Sequence, residues 1–97
     1  MDRISDLRPG MNASIEGEII SIEQSREVRT KFGKLIRVAN ATIQDDSGQI
    51  IVTLWDKDID RVSIGDKIKI ENGWVSDFKG NLQITAGKNG KLEIIPK

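Results

Sequence analysis

Three aromatic side chains stand out for the company they keep. Trp74 and Phe78 lie in Glu71-Asn72-Gly73-Trp74-Val75-Ser76-Asp77-Phe78-Lys79-Gly80, among Asn, Gly, Ser, Asp and Lys rather than in an apolar run. Trp55 ends a strand-like run just before an acidic segment. Aromatics make up only 4% of the chain, so rings in polar surroundings are informative. A flat π face stacks on any nucleobase, and each such stack is worth ~1–3 kcal/mol by alanine substitution, though the values do not simply add. The three rings are expected to form a platform for single-stranded bases. Each also has a structural alternative. Trp55 can close a barrel end half-buried. Trp74 can turn inward by strand parity, and Phe78 can anchor a loop against the barrel.

A base platform needs cations for the phosphates. Residues 26–37 carry Arg26, Arg29, Lys31, Lys34 and Arg37 against Glu27, a local net of +4. Lys79 lies beside Phe78. These six are the expected phosphate contacts, with Thr53, Gln83 and Thr85 as lesser polar contacts to bases or sugars. Residues 45–60 hold Asp45, Asp46, Asp56, Asp58 and Asp60 against Lys57, a local net of −4, and are expected outside the nucleic-acid track. The alternative for any charge run is a solvated loop.

The rest of the composition narrows the class. The 97 residues fit one domain. The formal net charge is zero, unlike the basic balance usual for nucleic-acid binders, so the positive region must be local. There is no cysteine and no histidine, which removes most zinc sites and Cys-His nucleophile pairs. No catalytic residue, metal or cofactor is expected. The Asp45-Asp46 pair reads as a hairpin turn rather than a metal site. The two Asn-Ala-Ser/Thr patterns, at Asn12 and Asn40, fall inside expected strands and carry no meaning without a secretion signal. No apolar run approaches ~18 residues and no signal-peptide pattern opens the chain. A cytoplasmic, nucleoid-associated protein without membrane contact is expected.

Five strands must position these residues. Alternation places the first over Asn12–Gln24, with Gly17 as the point where a long strand bends. A polar loop over Ser25–Lys34 follows, then strands over Leu35–Gln44 and Gln49–Trp55 joined by an Asp45-Asp46-Ser47-Gly48 turn. Trp55 shares the more polar parity with Gln49, Ile51 and Thr53. Asp56–Val62 allows a turn or two of helix capped by Asp56. A fourth strand runs over Lys67–Val75, a loop over Asp77–Asn81, and a fifth strand through Leu82, Ile84 and Ala86. A turn at Lys88-Asn89-Gly90 leads to a short final strand over Leu92–Ile95. Trp74 would share the inward parity of Ile68 and Ile70, so the platform requires a bulge at Asn72-Gly73. The order predicts an all-β, five-stranded Greek-key barrel of the OB type with a very short helical insert between the third and fourth strands. In that fold the second and third strands and flanking loops bind oligonucleotides. A small open β-sandwich or SH3-like barrel is the alternative.

At these residues the chain resembles a family. Leu7-Arg8-Pro9-Gly10-Met11, Asp46-Ser47-Gly48, Val52-Thr53-Leu54-Trp55, Ile64-Gly65-Asp66, Glu71-Asn72-Gly73-Trp74, Phe78-Lys79-Gly80 and Ala86-Gly87 occur in the order and spacing of archaeal-type single-stranded DNA-binding proteins and replication protein A OB modules. The likeness runs from about Ile4 to Ile95. It implies single-stranded DNA as partner, with Trp55, Trp74 and Phe78 as base-stacking residues. Some relatives carry a further aromatic where this chain has Thr85. The resemblance also implies a role in replication or repair, contacts with other replication or repair proteins, and residues 1–97 as one OB domain of a longer replication protein A. Two other readings stand beside it. One is a protein-interaction module of a multi-domain replication protein, and the other is a single-stranded RNA binder.

Overall fold

In the computed structural model, residues 1–86 and 90–96 are described. β1 (Asn12–Ile22) begins the barrel, and strict alternation buries Ala13, Ile15, Gly17 and Ile19. Glu18 pairs with Gln44 on one side and Lys67 on the other, so β1 joins two halves of one sheet. Pairing with residues 67–70 runs in regular register through Gly17. Pairing with residues 41–44 shifts register between Ile19 and Ser21, leaving Ile20 as the extra residue, and Ile22 then returns to the core side. Gly17 serves close approach instead, since a Cβ there would stand 2.9 Å from the Gln44 carbonyl oxygen.

The segment read as a loop over Ser25–Lys34 is half of a hairpin. β2 (Arg26–Arg29) pairs antiparallel with β3 (Leu35–Gln44), from Arg26 opposite Val38 to Arg29 opposite Leu35. Its tip is held by the Thr30 N–H donating to the Lys34 carbonyl and the Gly33 N–H donating to the Thr30 carbonyl. β3 continues into β4 (Gln49–Trp55) through the expected Asp-rich turn. A short helix, α1 (Lys57–Arg61), occupies the expected insert. Asp56 does not cap it with its side chain; its carboxylate accepts the Arg37 backbone N–H at 2.9 Å instead.

β5 (Lys67–Phe78) runs three residues past the predicted end. A two-residue turn, Lys79-Gly80, joins it to β6 (Asn81–Thr85), with φ of 54° and 83°, the left-handed pair that suits a tight hairpin. β6 lies parallel to β4 and antiparallel to β5. β5 pairs back onto β1, which closes the ring β1-β3-β4-β6-β5. This is the predicted Greek-key barrel rather than an open sandwich. β7 (Lys91–Ile95) adds to the first half of β5. Of the turn expected at Lys88-Asn89-Gly90, Lys88 and Asn89 lie outside the described residues, as does Gly87.

The core is aliphatic. Ile15, Ile19, Ile43, Val52, Leu54, Ile68, Ile70, Val75 and Ile84 are all under 2% exposed, and Ile4 and Leu7, from the 3-10 turn Ile4–Asp6 and just after it, pack onto the same core. All four aromatic residues are on the surface, at 40% (Trp55), 47% (Trp74), 56% (Phe78) and 86% exposed (Phe32). Burying a large apolar side chain typically stabilises by ~1.5–3 kcal/mol, and this fold forgoes part of that for every ring it has.

Candidate nucleic-acid interface

The orientation of Trp74 depends on one extra residue. Ala13 pairs with Gly73 and Ile15 with Ile70, so a bulge over Glu71-Asn72 faces Ser14 alone. Parity inverts there: Ile68 and Ile70 are buried before it, Gly73 and Val75 after it, and Trp74 faces out. The local sequence suits this. Asn72 takes φ +52°, a region asparagine tolerates better than most residues. Its N–H donates to the Ser14 hydroxyl at 3.0 Å. A Cβ on Gly73 would approach the Ile84 and Ile70 side chains to 2.8–2.9 Å, so glycine fits where the bulge turns the chain inward. The bulge expected at Asn72-Gly73 is present one residue earlier, at Glu71-Asn72, and it turns Trp74 outward as that expectation required.

Cross-strand pairing then assembles one outward face. Trp55 on β4 lies opposite Val38 on β3. Thr53 lies between Asn40 and Thr85. On β5, Trp74 faces Thr85, Ser76 faces Gln83 and Phe78 faces Asn81. Trp74 and Phe78 share a side of β5 four residues apart, roughly 13 Å along the strand. Thr85 stands between the two indoles, because the Trp55 Nε1–H donates to its hydroxyl at 3.1 Å. Phe78 is the last strand residue rather than a loop anchor, with the Lys79 ammonium 5.4 Å from its ring centre.

A groove of about 270 Å³ runs over this face, lined by Arg26, Val28, Val38, Asn40, Thr53, Trp55, Phe78 and Gln83. None of these is acidic. Val38 is 4% exposed yet lies outside the barrel core, so it is buried on the outer face, among the groove residues. A larger cavity, about 450 Å³, is elsewhere and has the wrong charge for phosphate. Glu16, Glu18, Asp45 and Asp46 line it against Lys67. Asp58 of the other acidic segment borders a separate cavity that also touches Trp55.

The predicted cations divide. Arg26 borders the groove, and Arg29, Lys31 and Lys34 follow it along the hairpin to its tip. None of these four has an ion-pair partner among the described residues. Arg37 does not join them. On β3 it has the parity opposite to Val38, and its guanidinium holds both Asp60 oxygens at 2.6 and 3.1 Å and the Asp56 carbonyl at 3.3 Å. The hydrogen bond to Asp60 raises the Arg37 pKa, and the same bond lowers that of Asp60. Val28, Val38, Asn40 and Ser76 are not among the residues expected from sequence, because they carry no chemical signature of their own. Phe32 is not among them either, although it is an aromatic ring in polar company, standing between Lys31 and Gly33.

Residues 13–95 match the family model of the OB-fold nucleic acid binding domain. The single-stranded DNA binding protein Ssb of Saccharolobus solfataricus is 29% identical over 92 residues, 94% of this chain and 62% of that protein. Replication factor A of Methanothermobacter thermautotrophicus is 31% identical over 84 residues, 86% of this chain and 10% of that protein. The chain thus spans less than two thirds of the length of either relative. In solution structure, the second OB-fold domain of replication protein A from Methanococcus maripaludis superposes with a TM-score of 0.81 at 28% identity, covering 99% of this chain and 95% of that one. No helix among the described residues is long and apolar enough to cross a membrane.

Proposed function

The chain belongs to the OB-fold nucleic-acid-binding domain family, related to archaeal single-stranded DNA-binding proteins and replication protein A, and on that premise we propose that it binds single-stranded DNA with little regard to sequence. Bases stack on Trp55, Trp74 and Phe78. Phosphates meet Arg26, Arg29, Lys31, Lys34 and Lys79, while Thr53 and Gln83 offer polar contacts along the groove. The observation that carries this reading is the exposure of all three rings on one strand-paired face beside a groove without acidic groups. Stacking suits sequence tolerance because every base has a π face. A relative named for single-stranded DNA binding and another named for replication support DNA as the ligand and replication or repair as the setting. Other replication or repair proteins are the proposed partners.

Titration with oligo-dT at several salt concentrations tests this. Tryptophan fluorescence falls as bases cover Trp55 and Trp74, and affinity drops with salt by about 0.7 log units per log unit for each phosphate neutralised. Absence of binding by any method at low salt sinks the proposal. A matched RNA oligomer bound more tightly than DNA makes this an RNA binder. Weak, salt-insensitive binding to both together with capture of a replication protein makes it an interaction module.

A further inference from the structure

We infer that the tip of the β2–β3 hairpin is an added subsite for single-stranded nucleic acid, in which Phe32 stacks on a base beyond the groove; this rests on the groove reading above. Phe32 is the most exposed of the large hydrophobic side chains, at 86%. Lys31 places its ammonium 5.4 Å from the ring centre. Between Arg29 and Lys34 the tip holds three cations and no acid. It is nonetheless ordered by backbone, with the turn bonds at Thr30 and Gly33 supplemented by the Lys34 N–H donating to the Thr30 hydroxyl at 3.2 Å.

The arm is continuous with the groove. Arg26 and Val28 line the groove along β2, and Arg29 closes the ladder opposite Leu35. The lining reaches Val28, and Phe32 lies four residues further on, past the end of the ladder at Arg29, so the ring stands beyond the last lining residue of β2. Among the described residues β2 pairs only with β3. A lone ring among cations suits a nucleic-acid strand, which offers π faces and phosphates in alternation. It suits a protein partner poorly, because docking surfaces present wider contiguous apolar area. Here Leu35, 54% exposed, is the one other strongly exposed apolar side chain of the arm.

The test compares wild type, Phe32→Ala, Phe32→Leu and Trp55→Ala on labelled dT oligomers of ~4 to ~16 nucleotides by fluorescence anisotropy. The expected result is that Phe32→Ala matches wild type on the shortest oligomers and binds the longer ones about fivefold or more weakly. Phe32→Leu shows the same loss, and Trp55→Ala is weaker at every length. Equal affinity of Phe32→Ala at all lengths overturns the inference and leaves the groove reading standing. A uniform loss at all lengths also overturns it, since the ring then acts within the groove or through the fold. Rescue by leucine overturns stacking. A wild-type protein that binds no oligomer at low salt overturns the groove reading and this inference together.

Discussion

The Trp55 indole N–H donates to the Thr85 hydroxyl at 3.1 Å across the parallel β4–β6 pair, and Thr85 is also the direct cross-strand neighbour of Trp74. One small side chain thus holds the first indole and spaces the second. A half-exposed tryptophan without such a bond samples several rotamers, and binding must then order it. Thr85→Val keeps the shape and removes the acceptor. A net hydrogen bond of ~0.5–1.5 kcal/mol translates into roughly two- to tenfold weaker DNA binding. Thr85→Ser retains the acceptor and should bind as wild type. The Trp55 indole N–H resonance reports the bond directly, shifting in the valine variant and not in the serine variant.

Removing the rings tests the platform. Trp55→Ala, Trp74→Ala and Phe78→Ala should each weaken binding by ~1–3 kcal/mol while leaving the salt dependence unchanged. Because the three side chains are 40–56% exposed, thermal unfolding should move little. A variant that unfolds instead assigns its ring to the fold.

The two arginines Arg26 and Arg37 should behave differently. Arg26 lies at the groove with no ion-pair partner among the described residues, whereas Arg37 is held by Asp60 and the Asp56 carbonyl. Arg26→Ala should lower the slope of log affinity against log salt by about 0.7. Arg37→Ala should leave that slope unchanged and lower the melting temperature, because it frees Asp60 and loosens the junction of β3 with α1. Salt titrations of both variants check this.

These contrasts also mark what sequence could reveal. Alternation located the wetter face of the expected third strand at Gln49, Ile51, Thr53 and Trp55 and the buried face of the fourth at Ile68 and Ile70, because each strand has one wet side. The conflict between parity and Trp74 pointed to the bulge, and Asn72-Gly73 offered residues able to make it. β2 was invisible because Arg26-Glu27-Val28-Arg29 has charges on both faces and one apolar residue, so it has no alternating signature. Its pairing depends on β3 beside it. The bulge at Ile20 was missed for a related reason: an isoleucine reads as a strand residue whether or not it is paired. The capture of Arg37 by Asp60, 23 residues away, depends on how α1 folds back against β3, which local pattern does not encode.

The Trp74 bulge should be sensitive to Gly73 and Ser14. Gly73→Ala drives a Cβ against Ile84 and Ile70, an overpacking that typically costs ~1–3 kcal/mol. Ser14→Ala strips the acceptor from the Asn72 N–H, costing about 1 kcal/mol. Chemical denaturation measures both. DNA affinity of Gly73→Ala, measured where the variant is still folded, should fall as Trp74 loses its outward setting.

Asp45 ties the chain's start to the β3–β4 turn and should govern acid stability. Burial works against its charge, but hydrogen bonds from the Ser47 hydroxyl and from the N–H groups of Ile4, Ser47 and Gly48 together outweigh it and hold the pKa at about 2. An unfolded aspartate titrates near ~3.9. The folded state therefore binds the proton less readily than the unfolded state. The stabilisation is complete above about pH 4 and is lost as pH falls through about 2. The shift corresponds to on the order of 2 kcal/mol. Asp45→Asn cannot accept in the same way at any pH, so it should be less stable than wild type at pH 7 and approach it near pH 2. Urea unfolding of both proteins across that range measures the difference, and a gap that stays constant with pH would assign the effect to shape rather than charge.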